Sequence, residues 1–212
     1  RARHPGLEFA LLGDPAWRGF QADFLFTHRV IEHVPDLHRA RDTINSMLKP
    51  AATMLHILPC GNEGSLAHTL SSSRRGGIQV ELQNRFFFED EGHVRRLKSA
   101  ELEALFAPLG FKAEERYFTG QWWGMFDYFS GAEPQLIPTM TDPTQAVDAS
   151  AALRLRLIGA GLRMFAGARR LNAKVEQRRT MANLPRRTRL LLGLGAPAFA
   201  LSRMAERFVR RR

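Results

Sequence analysis

The side chains best suited to chemistry stand directly after a short apolar run, residues 23–27. His28 is a candidate general base, because an imidazole titrates near neutrality. Arg29 is a candidate ligand for a carboxylate or phosphate of a substrate, because a guanidinium makes paired hydrogen bonds with either group. A loop histidine without a role and a solvated loop arginine are the alternatives, and the sequence alone leaves both open.

Glu32 and His33 form a second pair in the same segment. In one interpretation the two side chains hydrogen-bond the loop and the beginning of a helix at Asp36. In the other they bind a divalent metal, which requires several ligand atoms from the chain. If the role of the pair is chemical, His28, Glu32 and His33 are the candidate catalytic residues of this segment.

Further along the chain, polar and aromatic side chains form candidate substrate contacts. Asn62 lies in residues 61–65, which have the glycine-containing polar composition of a loop. Trp122 and Trp123 offer flat surface for an apolar or planar substrate, although such residues also serve as core or interface aromatics. The single cysteine, Cys60, is predicted to be a small apolar filler rather than a nucleophile.

The elements that must position these residues begin with four predicted strands, at residues 7–12, 23–27, 53–59 and 111–118. The second run is nearly continuous in apolar residues, which predicts burial on both faces.

Helices are predicted between these strands from the spacing of apolar residues. One begins at Asp36, a good N-cap, and ends at residues 48–50; another is capped by Ser99 and stopped by Gly110. Strand, helix and strand in this order predict a parallel sheet covered by helices, with ligands beyond the carboxyl ends of the strands.

Composition excludes several classes of protein. Of 212 residues, 44% are hydrophobic and 25% are charged, which is typical of a globular chain and excludes a disordered one. One cysteine cannot form an internal disulfide, so a reducing, cytoplasmic location is predicted. No apolar run reaches the ~18 residues that a membrane-spanning helix needs.

Charge divides the chain. Residues 1–150 hold 15 Lys/Arg and 19 Asp/Glu, whereas residues 151–212 hold 16 Lys/Arg and 2 Asp/Glu. Two prolines among small polar residues at 138–144 indicate a linker. The predicted organisation is therefore an α/β domain at 1–137, a linker at 138–150 and a basic helical extension at 151–212.

The extension is predicted to contain a helix over residues 151–181, with an apolar stripe at Leu153, Leu157, Ile158, Leu162, Phe165 and Ala166. Residues 190–201 form a second apolar run, broken by Pro197 and flanked by arginines. Peripheral contact with anionic lipid at the inner membrane face is the leading hypothesis. Nucleic-acid binding and a helical hairpin packed on the domain are the alternatives.

Residues 22–36 resemble the fourth strand and following loop of class I S-adenosylmethionine-dependent methyltransferases. Residues 48–52 resemble the family's Leu-Lys-Pro-Gly-Gly turn before strand five, with Ala51 and Ala52 in place of the glycines; alanines tolerate fewer turn conformations. Residues 92–111 resemble a later stretch of the family that contains a histidine, an arginine and a final Gly-Phe. The resemblance covers about residues 5–130.

The resemblance implies a partial Rossmann-like sheet, mostly parallel, with S-adenosyl-L-methionine as cofactor. It places Asp14, Thr27 and His28 at the cofactor, although Asp14 also suits a turn cap in Gly-Asp-Pro. On the substrate side it places a further group: Arg29, Asn62, His93, Trp122 and Trp123.

Some relatives, the ubiquinone-biosynthesis O-methyltransferases and small-RNA 2′-O-methyltransferases, carry a metal-binding Glu-x-x-Glu-His motif that this segment resembles. Here Arg29 stands at the position of the first glutamate, and its positive charge would repel a metal. His93 lies where the RNA enzymes supply a further histidine. With one carboxylate replaced, no metal is predicted.

Two family features are not in the sequence: the glycine-rich loop after strand one and the acidic residue that ends strand two. Because residues 7–12 resemble strand three, the chain is expected to be the C-terminal part of a longer methyltransferase, with an unpaired strand-four edge and weak cofactor binding. The intact protein is expected to methylate a small-molecule or lipid-like acceptor. The alternative is a non-catalytic module whose arginine-rich tail binds anionic membrane or nucleic acid.

Overall fold

The computed structural model describes Glu8, Pro15 and residues 19–177, with side chains of the last helix described as far as Arg170. Within these residues the chain is mixed α/β, with a two-stranded parallel sheet, a short antiparallel pair and six α-helices. The strands are β1 Ala22–His28, β2 Leu48–Ile57, β3 Ile78–Gln79 and β4 Arg85–Phe86. The helices are α1 Leu37–Ser46, α2 Leu66–Ser72, α3 Ser99–Phe106, α4 Trp123–Gly131, α5 Ile137–Met140 and α6 Ala149–Gln177.

Three sequence predictions lie outside the described residues. They are the strand at 7–12 apart from Glu8, the cofactor contact of Asp14 and the apolar run at 190–201.

β1 and β2 are parallel neighbours, with Leu25 opposite Met54 and Thr27 opposite His56. The prediction of two strands joined by a helix and paired in parallel is confirmed. β2 begins earlier than predicted, at Leu48, and ends at Ile57. Both carboxyl ends therefore lie at the same edge of the sheet.

The prediction that β1 is buried on both faces is wrong. Leu25 and Met54 pack on the apolar cluster that α1 and α3 form around Ile44. On the opposite face, Phe24 and Phe26 are 56% and 53% exposed. A continuous apolar run does not say how many faces of a strand are covered, because that depends on elements elsewhere in the chain.

α1 confirms its predicted cap and corrects its predicted end. The Asp36 carboxylate accepts a hydrogen bond from the backbone N–H of Arg39 over 2.9 Å. The helix ends at Ser46, and residues 48–50 begin β2 instead of ending the helix. The register then shifts, since Ala22 pairs with Leu48 but Phe24 with Thr53. Ala51 lies within this bulge with a φ of 65°, in the left-handed region.

α3 begins one position earlier than predicted, at Ser99. Lys98, rather than Ser99, is the N-cap, and its backbone N–H donates to Oε2 of Glu101 over 2.7 Å. A 3₁₀ turn, Ala107–Leu109, follows the helix. Gly110, with a φ of 86°, ends it, which confirms the predicted stop.

The predicted strand at residues 111–118 is wrong. These residues adopt no regular element, and Tyr117 is 72% exposed. A strand is stable only when a neighbour satisfies its backbone groups. No strand among residues 19–177 pairs with this segment.

The chain forms two compact units. Among the described residues, the first comprises those up to Gly61 together with Glu91–Glu114, and contains β1, β2, α1 and α3. The second comprises Asn62–Asp90 and the described residues from Glu115 to Gln177. The predicted boundaries at 137 and 150 both fall within the second unit, and Met140 of the predicted linker is buried there.

α6 organises the core of the second unit. Leu155 and Leu162 are fully buried against Leu66 of α2 and Phe129 of α4. The helix predicted over 151–181 is confirmed along its described length, but Leu153 and Leu157 of the predicted stripe are exposed. No helix in the described part of the chain is both long and apolar enough to cross a membrane.

Candidate functional site

The candidate site begins where β1 ends. Arg29 turns the chain sharply with a φ of 54°, and its backbone N–H donates to the carbonyl of Ile57 over 2.8 Å. The 3₁₀ turn Ile31–His33 follows at once. Glu32 and His33 therefore lie beyond the carboxyl end of β1, as the resemblance implies for this loop.

A second segment, residues 92–97, lies beside this turn. The backbone N–H of Val94 donates to the carbonyl of Glu32 over 3.0 Å. The Nδ1 atom of His33 lies 2.7 Å from the carbonyl oxygen of Gly92. Because a carbonyl only accepts hydrogen bonds, Nδ1 of His33 carries a proton, and in the neutral imidazole the lone pair is therefore on Nε2.

These contacts bring three potential ligands together. One side-chain ligand atom each from Glu32, His33 and His93 lies within 4.8 Å of the others. The two imidazole rings have centroids 4.6 Å apart and planes tilted by 38°. In a tetrahedral zinc site, ligand atoms ~2.1 Å from the metal are roughly 3.4 Å apart, so small side-chain rotations suffice.

The carboxylate of Glu32 is the most unusual group of this cluster. Glu32 is 1% exposed, and neither carboxylate oxygen has a hydrogen-bond partner. A buried carboxylate without a partner is costly, typically by several kcal/mol. A cation bound at this position would remove that cost.

The donor set indicates which cation would fit. Two imidazoles and one carboxylate are ligands that zinc and other first-row transition metals accept, with a position left open. Mg²⁺ and Ca²⁺ prefer more oxygen ligands than this cluster supplies. Arg29, the reason for expecting no metal, has an exposed side chain, so solvent screens its charge.

Two buried arginines that were not predicted as site residues hold the second segment in place. Nη2 of Arg95 donates to the carbonyl of Pro35 over 2.7 Å, and Nε of Arg96 donates to the carbonyl of Cys60 over 3.2 Å. Burial lowers the pKa of the Arg95 guanidinium, while the negative charge of Asp36 opposes that shift. The only feature of the sequence that could have pointed to Arg95 and Arg96 is that both closely follow His93.

The side chains of Thr27 and His28 lie in different environments, although the resemblance places both at the cofactor. Thr27 is buried, with its Oγ1 atom 2.7 Å from Nδ1 of His56. His28 is exposed, and its ring is stacked 6.3 Å from that of Phe26. The cluster of three potential metal ligands does not include His28.

His56 is another residue that sequence reasoning missed. Its ring stacks on that of Phe106 with a centroid distance of 5.1 Å, and its Nε2 atom is buried without a partner. Burial lowers the pKa of this imidazole. The sequence around His56 does not predict its burial, because that burial depends on α3, which lies far away in the sequence.

The other predicted substrate residues lie in the second unit. The indole N–H of Trp122 donates to the carbonyl of Gly64, and the backbone N–H of Leu66 donates to the carbonyl of Gln121. The loop after Asn62 is therefore joined to the beginning of α4. Trp122 and Trp123 are both exposed. Their role in substrate binding stays a prediction.

Comparisons of the chain with protein-family models, curated proteins and solved structures found no match.

Proposed function

We propose that this chain forms the strand-four to strand-five region of a class I S-adenosyl-L-methionine-dependent methyltransferase with a Rossmann-like sheet. The acceptor is a small or lipid-like molecule. The proposal is supported by one relationship above all: the Glu32–His33 turn follows β1 and lies against the segment that contains His93. Both stretches belong to the part of the sequence that resembles the family.

The parallel pairing of β1 with β2 is a second support. In open parallel sheets, ligands bind beyond the carboxyl ends of the strands. His28, Arg29 and the Glu32–His33 turn occupy that position on β1.

The chemistry assigns separate tasks to these residues. When bound, S-adenosyl-L-methionine supplies a methyl group on a positively charged sulfur to a nucleophilic atom of the acceptor. His28 is exposed at the strand end and takes the proton that the acceptor loses. Arg29, also exposed, pairs with an anionic group of the acceptor and orients it.

A second candidate function is binding of a divalent cation by Glu32, His33 and His93. The observation that favours it is the buried Glu32 carboxylate without a hydrogen-bond partner. The bond from His33 to Gly92 fixes the imidazole so that Nε2 is available to a metal. With three ligands from the chain, an open position remains for an oxygen of the acceptor.

Cofactor binding tests the methyltransferase proposal. The longest reading frame that contains residues 1–212 is expressed beside residues 1–212 alone, and each is titrated with S-adenosyl-L-homocysteine by calorimetry. We expect saturable binding to the product of the whole frame and no appreciable binding to residues 1–212. No binding by the whole-frame product would favour the non-catalytic module and overturn the proposal.

A further inference from the structure

α6 carries an exposed apolar stripe. Leu153, Leu157, Ala160 and Met164 recur every three or four residues, so they lie on one face of the helix. Leu157 and Met164 are 65% and 64% exposed. This face is opposite to the buried residues Leu155 and Leu162, and it therefore does not contribute to the core of the second unit.

Arginines line one side of this stripe. Arg156, Arg163 and Arg170 recur every seven residues and are exposed, and none of the described acidic side chains forms an ion pair with them. Arg169 differs, because it projects toward α4 and pairs with Asp127. Arg156, Arg163 and Arg170 form the arginine row. Their side chains are long enough for the guanidinium groups to stay in water while the apolar stripe enters an adjacent surface.

Aromatic side chains lie on the other side of the stripe. The ring of Phe126 of α4 packs edge-on against Phe165 and close to Gly161 of α6. Trp123 packs on Phe126 and keeps 41% of its surface exposed. Tryptophan at the border of an apolar surface is typical of the interface between lipid and water.

We propose that this face of α6 binds the surface of an anionic lipid bilayer. The apolar stripe enters the headgroup layer, and Arg156, Arg163 and Arg170 pair with lipid phosphates and carboxylates. A soluble polyanion such as RNA satisfies the arginines but offers no apolar phase to Leu157 and Met164. The proposal does not depend on the methyltransferase assignment.

Sedimentation of the full chain with vesicles tests the proposal. The vesicles are phosphatidylcholine alone or with phosphatidylserine. At low salt, we expect the chain to bind the vesicles that contain phosphatidylserine and not those of phosphatidylcholine alone. The double variant Leu157→Gln/Met164→Gln weakens that binding at least about tenfold, because two side chains no longer leave water. Its control is Val80→Gln/Leu82→Gln, two exposed apolar residues elsewhere, which binds like wild type.

Substitution of the arginines tests the electrostatic part of the proposal in the same vesicle experiment. Arg156→Gln/Arg163→Gln is expected to weaken binding about tenfold or more, since each basic residue near an anionic surface contributes about 1 kcal/mol. Arg39→Gln/Arg75→Gln removes the same charge from exposed positions outside α6 and leaves binding within about threefold of wild type. Circular dichroism confirms that each variant is folded.

Two results overturn the proposal. One is unchanged vesicle binding by Leu157→Gln/Met164→Gln, which would show that charge alone holds the chain on the membrane. The other is single-stranded RNA binding that the arginine variant weakens while vesicle binding is unaffected by it. The second result would assign the arginine row to nucleic acid.

Discussion

The imidazole of His33 donates a hydrogen bond from Nδ1 to the carbonyl oxygen of Gly92 over 2.7 Å. This bond joins the turn after β1 to a residue that lies 59 positions later in the chain. It brings His93 beside Glu32 and leaves Nε2 of His33 as a ligand atom.

Zinc binding is the direct test of the cluster. We expect calorimetry to show one Zn²⁺ site per chain that weakens at least about tenfold in His93→Asn, because a direct ligand is lost. His38→Asn, an exposed histidine on α1, is the matched control and leaves the affinity unchanged. Equal zinc affinity in His93→Asn and wild type would contradict the site.

Glu32→Gln is expected to stabilise the metal-free protein. The substitution keeps the shape of the side chain and removes a buried charge without a partner, so the free energy of unfolding rises by about 1–3 kcal/mol. Urea unfolding in the presence of a chelator measures it. Glu81→Gln, an exposed carboxylate, changes stability by less than about 0.5 kcal/mol. A less stable Glu32→Gln protein would mean that the carboxylate has a favourable partner.

The buried His56 predicts a loss of stability in acid. Its pKa is lowered from 6.5 in the folded chain by burial, so the unfolded state binds a proton first as the pH falls. This contribution to stability is complete above about pH 6.5 and decreases as the pH falls toward the lower folded pKa.

Urea unfolding at pH 7.5 and pH 5.5 measures this dependence. We expect His56→Gln to reduce the acid-induced loss by about 1 kcal/mol, since one proton changes stability by at most about 1.4 kcal/mol per pH unit. His38→Gln retains the loss found in wild type. If His56→Gln and wild type show the same pH dependence, His56 does not cause it.

Ala51 predicts a stabilising substitution. A non-glycine residue in the left-handed region costs about 1–2 kcal/mol, whereas glycine adopts this conformation without strain. Ala51→Gly is therefore expected to raise the free energy of unfolding by about 0.5–1 kcal/mol. Ala52→Gly, at the next position of β2 and outside the left-handed region, is expected to lower it by a similar amount. Thermal unfolding of both variants distinguishes strain at Ala51 from a general effect of glycine.

Much of the local structure followed from the sequence. The apolar run of β1, the Asp36 cap of α1 and the Gly110 stop were predictable because strand propensity, capping and positive φ depend on neighbouring residues. The long basic helix α6 was predictable from the spacing of its apolar residues. The roles assigned to His28 and Arg29 stay predictions.

Only the tertiary structure decided which side chains meet and which faces are covered. His93 reaches Glu32 through hydrogen bonds of residues 92–94, which no local pattern encodes. Residues 111–118, which were predicted to form a strand, have no strand partner in the described chain. On α6, Leu155 is buried and Leu157 exposed because the other helices of its unit pack on one face alone. Burial and pairing are properties of two elements together, and a single segment of sequence specifies only one of them.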